Sequence, residues 1–346
     1  MLTYANVASN IEAIDQVIGL DSKDVIVGIL PFFHSMGFTV TLWCVMTLDI
    51  KGIYHTNPLE SRQVGKLAGK HKGTILVSTP TFLRSYLRRV SVEDFANLDT
   101  VVAGAEKLPT DLCNAFEEKF GVRPVEGYGT TELSPLVAVN VPPSREGGSH
   151  QKTLCEGSVG RCIPGVSARI VDVDSGEELG VDQPGMLWIK GPNVMKGYLN
   201  NPEKTSEVLR DGWYNTGDVA LLDKDGFIHI TGRISRFSKI GGEMVPHIKI
   251  EDAVQTFVGM DEEAGPSVAI ASVPDKKKGE RLVVLHTKIE KTPQEIVDHL
   301  KDEGFPNLFI PSLDCFAEIS EMPVLGTGKL DLKGLAKTAQ ELFADA

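Results

Sequence analysis

The stretch that most constrains this chain runs from Asp211 to Glu243 and reads D-G-W-Y-N-T-G-D-V-A-L-L-D-K-D-G-F-I-H-I-T-G-R-I-S-R-F-S-K-I-G-G-E. Val219, Leu221 and Leu222 precede the turn residues Asp223, Lys224, Asp225 and Gly226. Phe227, Ile228 and Ile230 follow them, so the middle reads as a β-hairpin. Asp218 stands just before the hairpin, and Gly232 and Arg233 stand just after it. The ribbon is expected to bring a carboxylate and a guanidinium to the same end of one sheet. A carboxylate placed there can accept two hydrogen bonds from a sugar diol, and a guanidinium can complete the grip on sugar or anion. Taken singly, Asp218 reads equally well as a turn cap and Arg233 as a solvated strand end.

At 346 residues the chain is long for one core, so two domains are expected. Its 42% hydrophobic and 24% charged content is that of an ordinary globular protein. A net charge of −12 argues against a nucleic-acid partner, which would call for a basic face. Cys44, Cys113, Cys155, Cys162 and Cys315 form no C-x-x-C pair and no metal-like cluster, and read as reduced thiols in a cytoplasmic setting. The N-terminus lacks the basic and apolar regions of a signal peptide. The most apolar run, Gly37 to Ile50, is broken by threonines and too short to span roughly 30 Å of hydrocarbon. It reads as a buried helix, so no membrane segment is expected. Attachment of a longer protein at the cytoplasmic face of an inner membrane stays open.

Along the chain, Met1 to Gly19 has helical spacing with Gly19 as its stop. Val25 to Leu30 is a strand that runs into P-F-F-H-S-M-G-F, where His34 is either a buried imidazole or a pocket residue. Gly73 to Thr79 is a strand, followed by a helix with Thr79 at its cap and Pro80 in its first turn. Thr100 to Ala103 is a strand ending in G-A-E-K-L-P. Small residues at Gly104 and Ala105, beside Glu106, let backbone approach a flat ligand at the strand end, where α/β sheets bind. The word E-G-Y-G-T-T-E-L-S-P, Glu126 to Pro135, carries the strongest chemistry. Tyr128 offers a ring to stack on and Gly129 allows close approach. Thr130 and Thr131 offer hydroxyls to phosphate, and Glu132 offers a hard oxygen ligand suited to Mg²⁺. A helix-capping box accounts for a threonine and Glu132, but not for Tyr128 and Gly129 beside them. Val141 to Thr153 reads as a surface loop, and the strands that follow suggest a small distorted β-barrel. Gly241 and Gly242 suggest a hinge. Beyond it come a helix (Lys249 to Val258), two strands (Ser267 to Val273, Arg281 to Ile289) and a helix (Pro293 to Lys301).

W-Y-N-T-G-D, G-F-I-H-I-T-G-R and K-I-G-G-E, together with E-G-Y-G-T-T-E and P-F-F-H-S-M-G, resemble the adenylate-forming superfamily of acyl-CoA synthetases, luciferases and peptide-synthetase adenylation domains. The resemblance covers essentially the whole chain. It implies an α/β fold with a partial large domain over residues 1–233, made of α/β sheet layers plus a small barrel over about 155–233, and a smaller mobile α+β domain over 234–346. It implies ATP or AMP as the nucleotide and Mg²⁺ as the metal. By the same resemblance Gly104, Ala105 and Glu106 meet the adenine, Tyr128 stacks on it, and Thr131, flanked by Gly129 and Thr130, contacts the α-phosphate. Glu132 holds the metal, while Asp218 and Arg233 hold the ribose and its neighbours. His34 lines the acyl pocket and gates the thiol tunnel. Lys329, in M-P-V-L-G-T-G-K-L-D, is the catalytic cation. Leu332 stands where an arginine is usual and Ser235 where the hinge usually has Asp or Lys.

F-S-K-I-G-G-E-M-V, T-I-L-V-S-T-P-T-F-L-R-S-Y-L-R-R and the Lys329 word resemble more closely the acyl–acyl carrier protein synthetase part of bacterial 2-acylglycerophosphoethanolamine acyltransferases. That likeness implies activation of a fatty acid by ATP and transfer to the phosphopantetheine thiol of acyl carrier protein, serving lysophospholipid reacylation. The alternatives are a long-chain acyl-CoA synthetase with CoA as acceptor, and a catalytically silent module that binds a carrier protein. The superfamily's Ser/Thr/Gly-rich phosphate loop precedes the segment resembling M-L-T-Y-A-N, so this chain is expected to begin after it and to be weak or inactive alone. His247 and Asp252 formally match the H-x-x-x-x-D word of glycerolipid acyltransferases, a match expected to be coincidental.

Overall fold

Thr3 opens the first helix. Its hydroxyl accepts from the Asn6 amide at 3.2 Å, and the Asn6 side chain accepts from the Thr3 amide at 2.8 Å. The helix, α1 (Tyr4–Ile18), closes on Gly19 at φ 64°, a left-handed conformation that glycine adopts at little cost. The computed structural model describes residues 1–146, 152–259, 266–275, 277–324 and 330–343. It divides into two compact units, Met1–Thr231 and Gly232–Ala346.

The first unit continues with β1 (Val25–Gly28), a π-helical segment (Gly37–Trp43), α2 (Cys44–Thr47), β2 (Lys51–Tyr54), α3 (Ser61–His71), β3 (Ile75–Ser78) and α4 (Pro80–Arg89). Next come β4 (Thr100–Ala103), α5 (Thr110–Phe120), β5 (Val125–Gly129), β6 (Leu136–Val139) and β7 (Arg161–Cys162). Thr79 caps α4 through the Phe82 amide at 3.4 Å, with Pro80 in the first turn. The seven strands form one sheet in the order β2-β1-β3-β4-β5-β6-β7, parallel as far as β5 and antiparallel beyond it. Ile26, Leu76 and Val101 are buried in its core with Leu83, Phe95 and Phe116 from the covering segments. Unbroken apolar strands are what a sheet covered on both faces requires.

The run after Gly37 is helical over Gly37–Trp43 and Cys44–Thr47, as its composition suggested, but it is only partly buried. Its helical part buries the small residues Gly37, Thr39, Thr41 and Cys44, and Ile50 is buried beyond it, while Phe38 and Met46 are exposed. A Cβ on Gly37 would lie 2.2 Å from the Pro31 carbonyl oxygen, so the close packing of this segment needs glycine.

A second sheet holds β8 (Ser167–Val171), β9 (Gly185–Lys190), β10 (Leu209–Arg210), β11 (Trp213–Leu222) and β12 (Ile228–Arg233), with α6 (Pro202–Val208) leading into β10. Its order is β10-β11-β9-β8, with β12 also on β11. The expected hairpin is present: Asp223 N donates to Phe227 O at 3.0 Å, and Gly226, at φ 80°, closes the turn. Of the strands expected in a small barrel, β7 joins the first sheet instead. Val159 and Gly160 link the two sheets through hydrogen bonds of 2.9 Å to Ile228. The loop before them is more than surface. Arg145 donates to both Asp24 oxygens at 2.9 and 2.6 Å and to Asp99 at 2.7 Å, tying together the segments that enter β1 and β4.

The second unit contains β13 (Phe237–Ile240), β14 (Glu243–Pro246), α7 (His247–Val258), β15 (Val268–Asp275), β16 (Gly279–His286), α8 (Pro293–Asp302), β17 (Phe316–Glu318) and α9 (Leu332–Phe343). Its sheet runs β14-β13-β16-β15, with β17 parallel on β16. Gly241 and Gly242, at φ 59° and 91°, are the two-residue turn between β13 and β14. This corrects the hinge expectation: the pair lies inside the second unit, where positive φ at both positions is what a tight antiparallel hairpin demands. His247 is buried at the start of α7 and bonded to the Ser238 hydroxyl. Burial, then the nearby Arg236 charge, push it down to about 3, which fits an inert core imidazole. Among the described residues no helix is long and apolar enough to cross a membrane.

Candidate functional site

β1, β3, β4 and β5 point their C-terminal ends to one edge of the sheet, where α/β folds bind ligands. Four loops leave that edge, and contacts join all of them. Gly104 is buried, and its amide donates to Ser78 O at 3.1 Å. A Cβ on Gly104 would touch Met36 Cε and Gly127 O at 3.4 Å, so the loops after β1 and β4 close over β5. Ala105 is exposed and holds φ 69°, a conformation that costs a non-glycine residue about 1–3 kcal/mol. Glu106 is exposed and accepts from the Thr81 hydroxyl at 2.8 Å. His34 is exposed rather than buried, and the next residue, Ser35, lies 3.2 Å from the Thr131 hydroxyl.

The central contact joins the two sheets. The Tyr128 hydroxyl, at the end of β5, donates to Oδ2 of Asp218 on β11. Asp218 is 2% exposed, and its orientation has a local cause. The β11–β9 register shifts between Asn215 and Val219, Gly217 sits at φ 74°, and the Thr216 hydroxyl accepts from the Asp218 amide at 3.0 Å. A bulge of this kind re-aims a side chain that regular pairing would send to the other face.

Thr130 and Thr131 lead from β5 into a short turn that carries Glu132. Thr130 N donates to Pro135 O at 3.1 Å. A Cβ on Gly129 would lie 2.0 Å from that same carbonyl oxygen, so the chain's own return path already requires glycine there. Glu132 is half-buried, and its Oε1 accepts from the Tyr198 hydroxyl at 2.7 Å. Burial and then Glu132 push the Tyr198 phenol up to about 12, and Tyr214 is raised by burial and by the same carboxylate. Both phenols stay protonated at neutral pH, and Tyr198 serves as a fixed donor to Glu132.

The first unit thus gathers Gly104, Tyr128, Gly129, Thr130, Thr131 and Asp218 with the loops of His34 and Glu106. Arg233 ends β12 beyond the Thr231–Gly232 boundary. Lys329 lies outside the described residues. Tyr198, Tyr214 and Thr216 were missed by sequence reasoning. Tyr198 stands in N-V-M-K-G-Y-L-N-N-P, a stretch the sequence marks as a word without marking the tyrosine.

A family model described as "AMP-binding enzyme" matches residues 1–199. The long-chain-fatty-acid–CoA ligase of Bacillus subtilis (strain 168) is 30% identical over 338 residues, 95% of this chain and 57% of that protein. The ligase of the same name from Salmonella typhimurium is 30% identical over 295 residues, 83% of this chain and 50% of that protein. The chain therefore spans about half the length of the curated relatives it matches. Among solved structures, ATP-bound MatB from Rhodopseudomonas palustris superposes with a TM-score of 0.81 at 26% identity, covering 99% of this chain and 65% of that one. The o-succinylbenzoate CoA synthetase of Bacillus subtilis, at 22% identity and a TM-score of 0.80, shares the fold over 97% of this chain and 65% of its own. With more than half of its length matched by that family model, on an α/β scaffold of the same kind, this chain belongs to the AMP-binding enzyme family.

Proposed function

We propose that the chain is part of an ATP-dependent ligase that activates a fatty acid as its acyl-adenylate and passes the acyl group to a phosphopantetheine thiol. The hydrogen bond from Tyr128 to Asp218 carries this reading. It sets an aromatic face and a buried carboxylate side by side at the ligand-binding edge of the sheet. In the proposed complex the adenine stacks on Tyr128 under the Gly104–Glu106 loop. Asp218 receives the ribose hydroxyls, as a carboxylate can accept several hydrogen bonds. Thr130 and Thr131 face the phosphates, with Gly129 shaping their turn, and His34 stands on the acyl side.

Glu132 fits a magnesium ligand, since one of its oxygens is held by Tyr198 and the other is left for an ion. A single carboxylate beside substrate phosphates is the setting Mg²⁺ favours, and the ion would supply neutralisation of phosphate charge. The second unit is proposed as a mobile lid. Arg233 is proposed as a ribose contact and Lys329 as the cation that answers the charge developing on the carboxylate and α-phosphate.

The names of the relatives favour CoA as the acceptor, whereas the words around Lys329 and Gly241 favour acyl carrier protein. Fatty-acid-dependent exchange of labelled pyrophosphate into ATP, followed by parallel assays with CoA and with holo-acyl carrier protein, tests both levels. Fatty-acid-dependent exchange supports the reading, and the acceptor that forms a thioester identifies the thiol. Binding of the carrier protein without any exchange would mean a silent module.

A further inference from the structure

Cys155, Asp223 and His229 take no part in the site above, yet they sit together. One ligand atom from each lies within 4.8 Å of the other two. We propose that these three side chains bind a divalent transition-metal ion of the zinc class.

The donor set is a thiol, an imidazole and a carboxylate. That mixture suits a borderline-soft ion and is a poor match for Mg²⁺ or Ca²⁺, which take oxygen ligands. In a tetrahedral site with metal–ligand bonds of about 2.0–2.3 Å, the ligand atoms stand about 3.3–3.7 Å apart. Asp223 Oδ2 and His229 Nε2 are already at 3.2 Å. The sulfur lies within 4.8 Å of both, so it has at most about an ångström to close, within the reach of a side-chain rotation.

The carboxylate is oriented in advance. Its other oxygen, Oδ1, accepts from the Asp225 and Phe227 amides, both at 2.9 Å, which leaves Oδ2 for the ion, with the ion taking the place of the proton between Oδ2 and His229 Nε2. Such outer bonds are what hold a metal ligand in place. Cys155 is positioned as firmly: its amide donates to the buried Asn140 side chain at 2.9 Å, and that side chain holds Ser158 O at 2.7 Å. Val159 and Gly160 then bond to Ile228, so the segment bearing the thiol is fastened to the hairpin bearing the other two ligands. The His229 and Asp223 side chains are 26% and 19% exposed, giving an ion a way in. Three protein ligands leave a fourth position for water, so the ion would be exchangeable. It would cross-link the 155–160 segment to the β11–β12 hairpin, and β11 also carries Asp218.

The test uses the whole chain, stripped of metal and titrated with Co²⁺ alone. Thiolate-to-cobalt charge-transfer absorption should appear with one equivalent and vanish when Zn²⁺ is added. Cys155→Ser should abolish that absorption. His229→Gln should weaken binding by at least about 10–100-fold, the scale seen when even an outer partner is lost, with an unchanged far-ultraviolet circular dichroism spectrum. Zinc-edge X-ray absorption on the unsubstituted chain reads the same site without mutation and should show one sulfur among nitrogen and oxygen neighbours. No charge-transfer absorption, a band that survives Cys155→Ser, unaltered affinity in His229→Gln, or a zinc shell with no sulfur or several would each overturn the proposal.

Discussion

Replacing Arg145 with alanine should cost the first unit more than any single change at its proposed nucleotide site. Arg145 and Asp24 have side chains only 10% and 5% exposed, and the guanidinium grips both Asp24 oxygens while also reaching Asp99 and Thr100. Removing one partner of a buried, hydrogen-bonded pair strands the other charge, at about 3–5 kcal/mol. Against a total stability of about 5–15 kcal/mol that is a large fraction. Trp43, Trp188 and Trp213 are the three tryptophans of the chain and all fall in the first unit, so their fluorescence follows its unfolding alone. With a urea slope of about 3 kcal/mol per molar, the midpoint should drop by about 1–1.7 M at constant slope. Burial raises the Asp24 carboxyl, but the bonds from Arg145, the Asp21 amide and Thr74 outweigh it and leave it below its ordinary value. The clasp's contribution is therefore present above pH about 4 and lost as pH falls through the depressed folded value. Arg145→Ala should remove that acid dependence. A midpoint shift under about 0.3 M would put the pair in the range of ordinary surface ion pairs and refute the reasoning.

Other expectations follow from single residues. Lys329→Ala in the full-length enzyme should lower acyl-adenylate formation by about 10²–10³ and largely spare thioester formation from supplied acyl-adenylate; equal losses in both half-reactions would make Lys329 structural. His247, neutral in the fold with its value pushed down to about 3, gains a proton on unfolding below pH about 6.5. The second unit should therefore lose about 1.4 kcal/mol per pH unit between those values, and His247→Gln should flatten that slope in acid denaturation. Gly242→Val, at φ 91°, should destabilise the second unit by about 1–2 kcal/mol in thermal unfolding while leaving the balance of the two half-reactions intact; the reverse pattern would restore the hinge reading.

Local signals were legible in the sequence. Gly19 as a helix stop, Thr79 with Pro80 as a helix start, and the Asp223–Gly226 turn each depend on a few neighbouring residues, and each stands where it was expected. The residues proposed for the nucleotide were marked one word at a time, but the bond from Tyr128 to Asp218 spans 90 positions. The bulge that aims Asp218 depends on pairing with β9, which the sequence does not display. Arg145 was hidden for a similar reason: a polar loop reads as surface unless its partners, 121 and 46 positions away, are known. Gly241 and Gly242 were ambiguous because one property, tolerance of positive φ, serves both a hinge and a tight hairpin. Tyr198 and Tyr214 each stand inside a word the sequence marks, but nothing local shows that the Tyr198 hydroxyl reaches Glu132, 66 positions away.

The most direct test of the account is calorimetric titration of AMP onto the chain and onto its Asp218→Asn variant. The account predicts one site in the unsubstituted chain. It also predicts a loss of about 10–150-fold in the variant, corresponding to one charge-assisted hydrogen bond of about 1.5–3 kcal/mol. Equal AMP affinity in the two proteins, or no binding to the unsubstituted chain, would contradict the claim that Tyr128 and Asp218 form the nucleotide site.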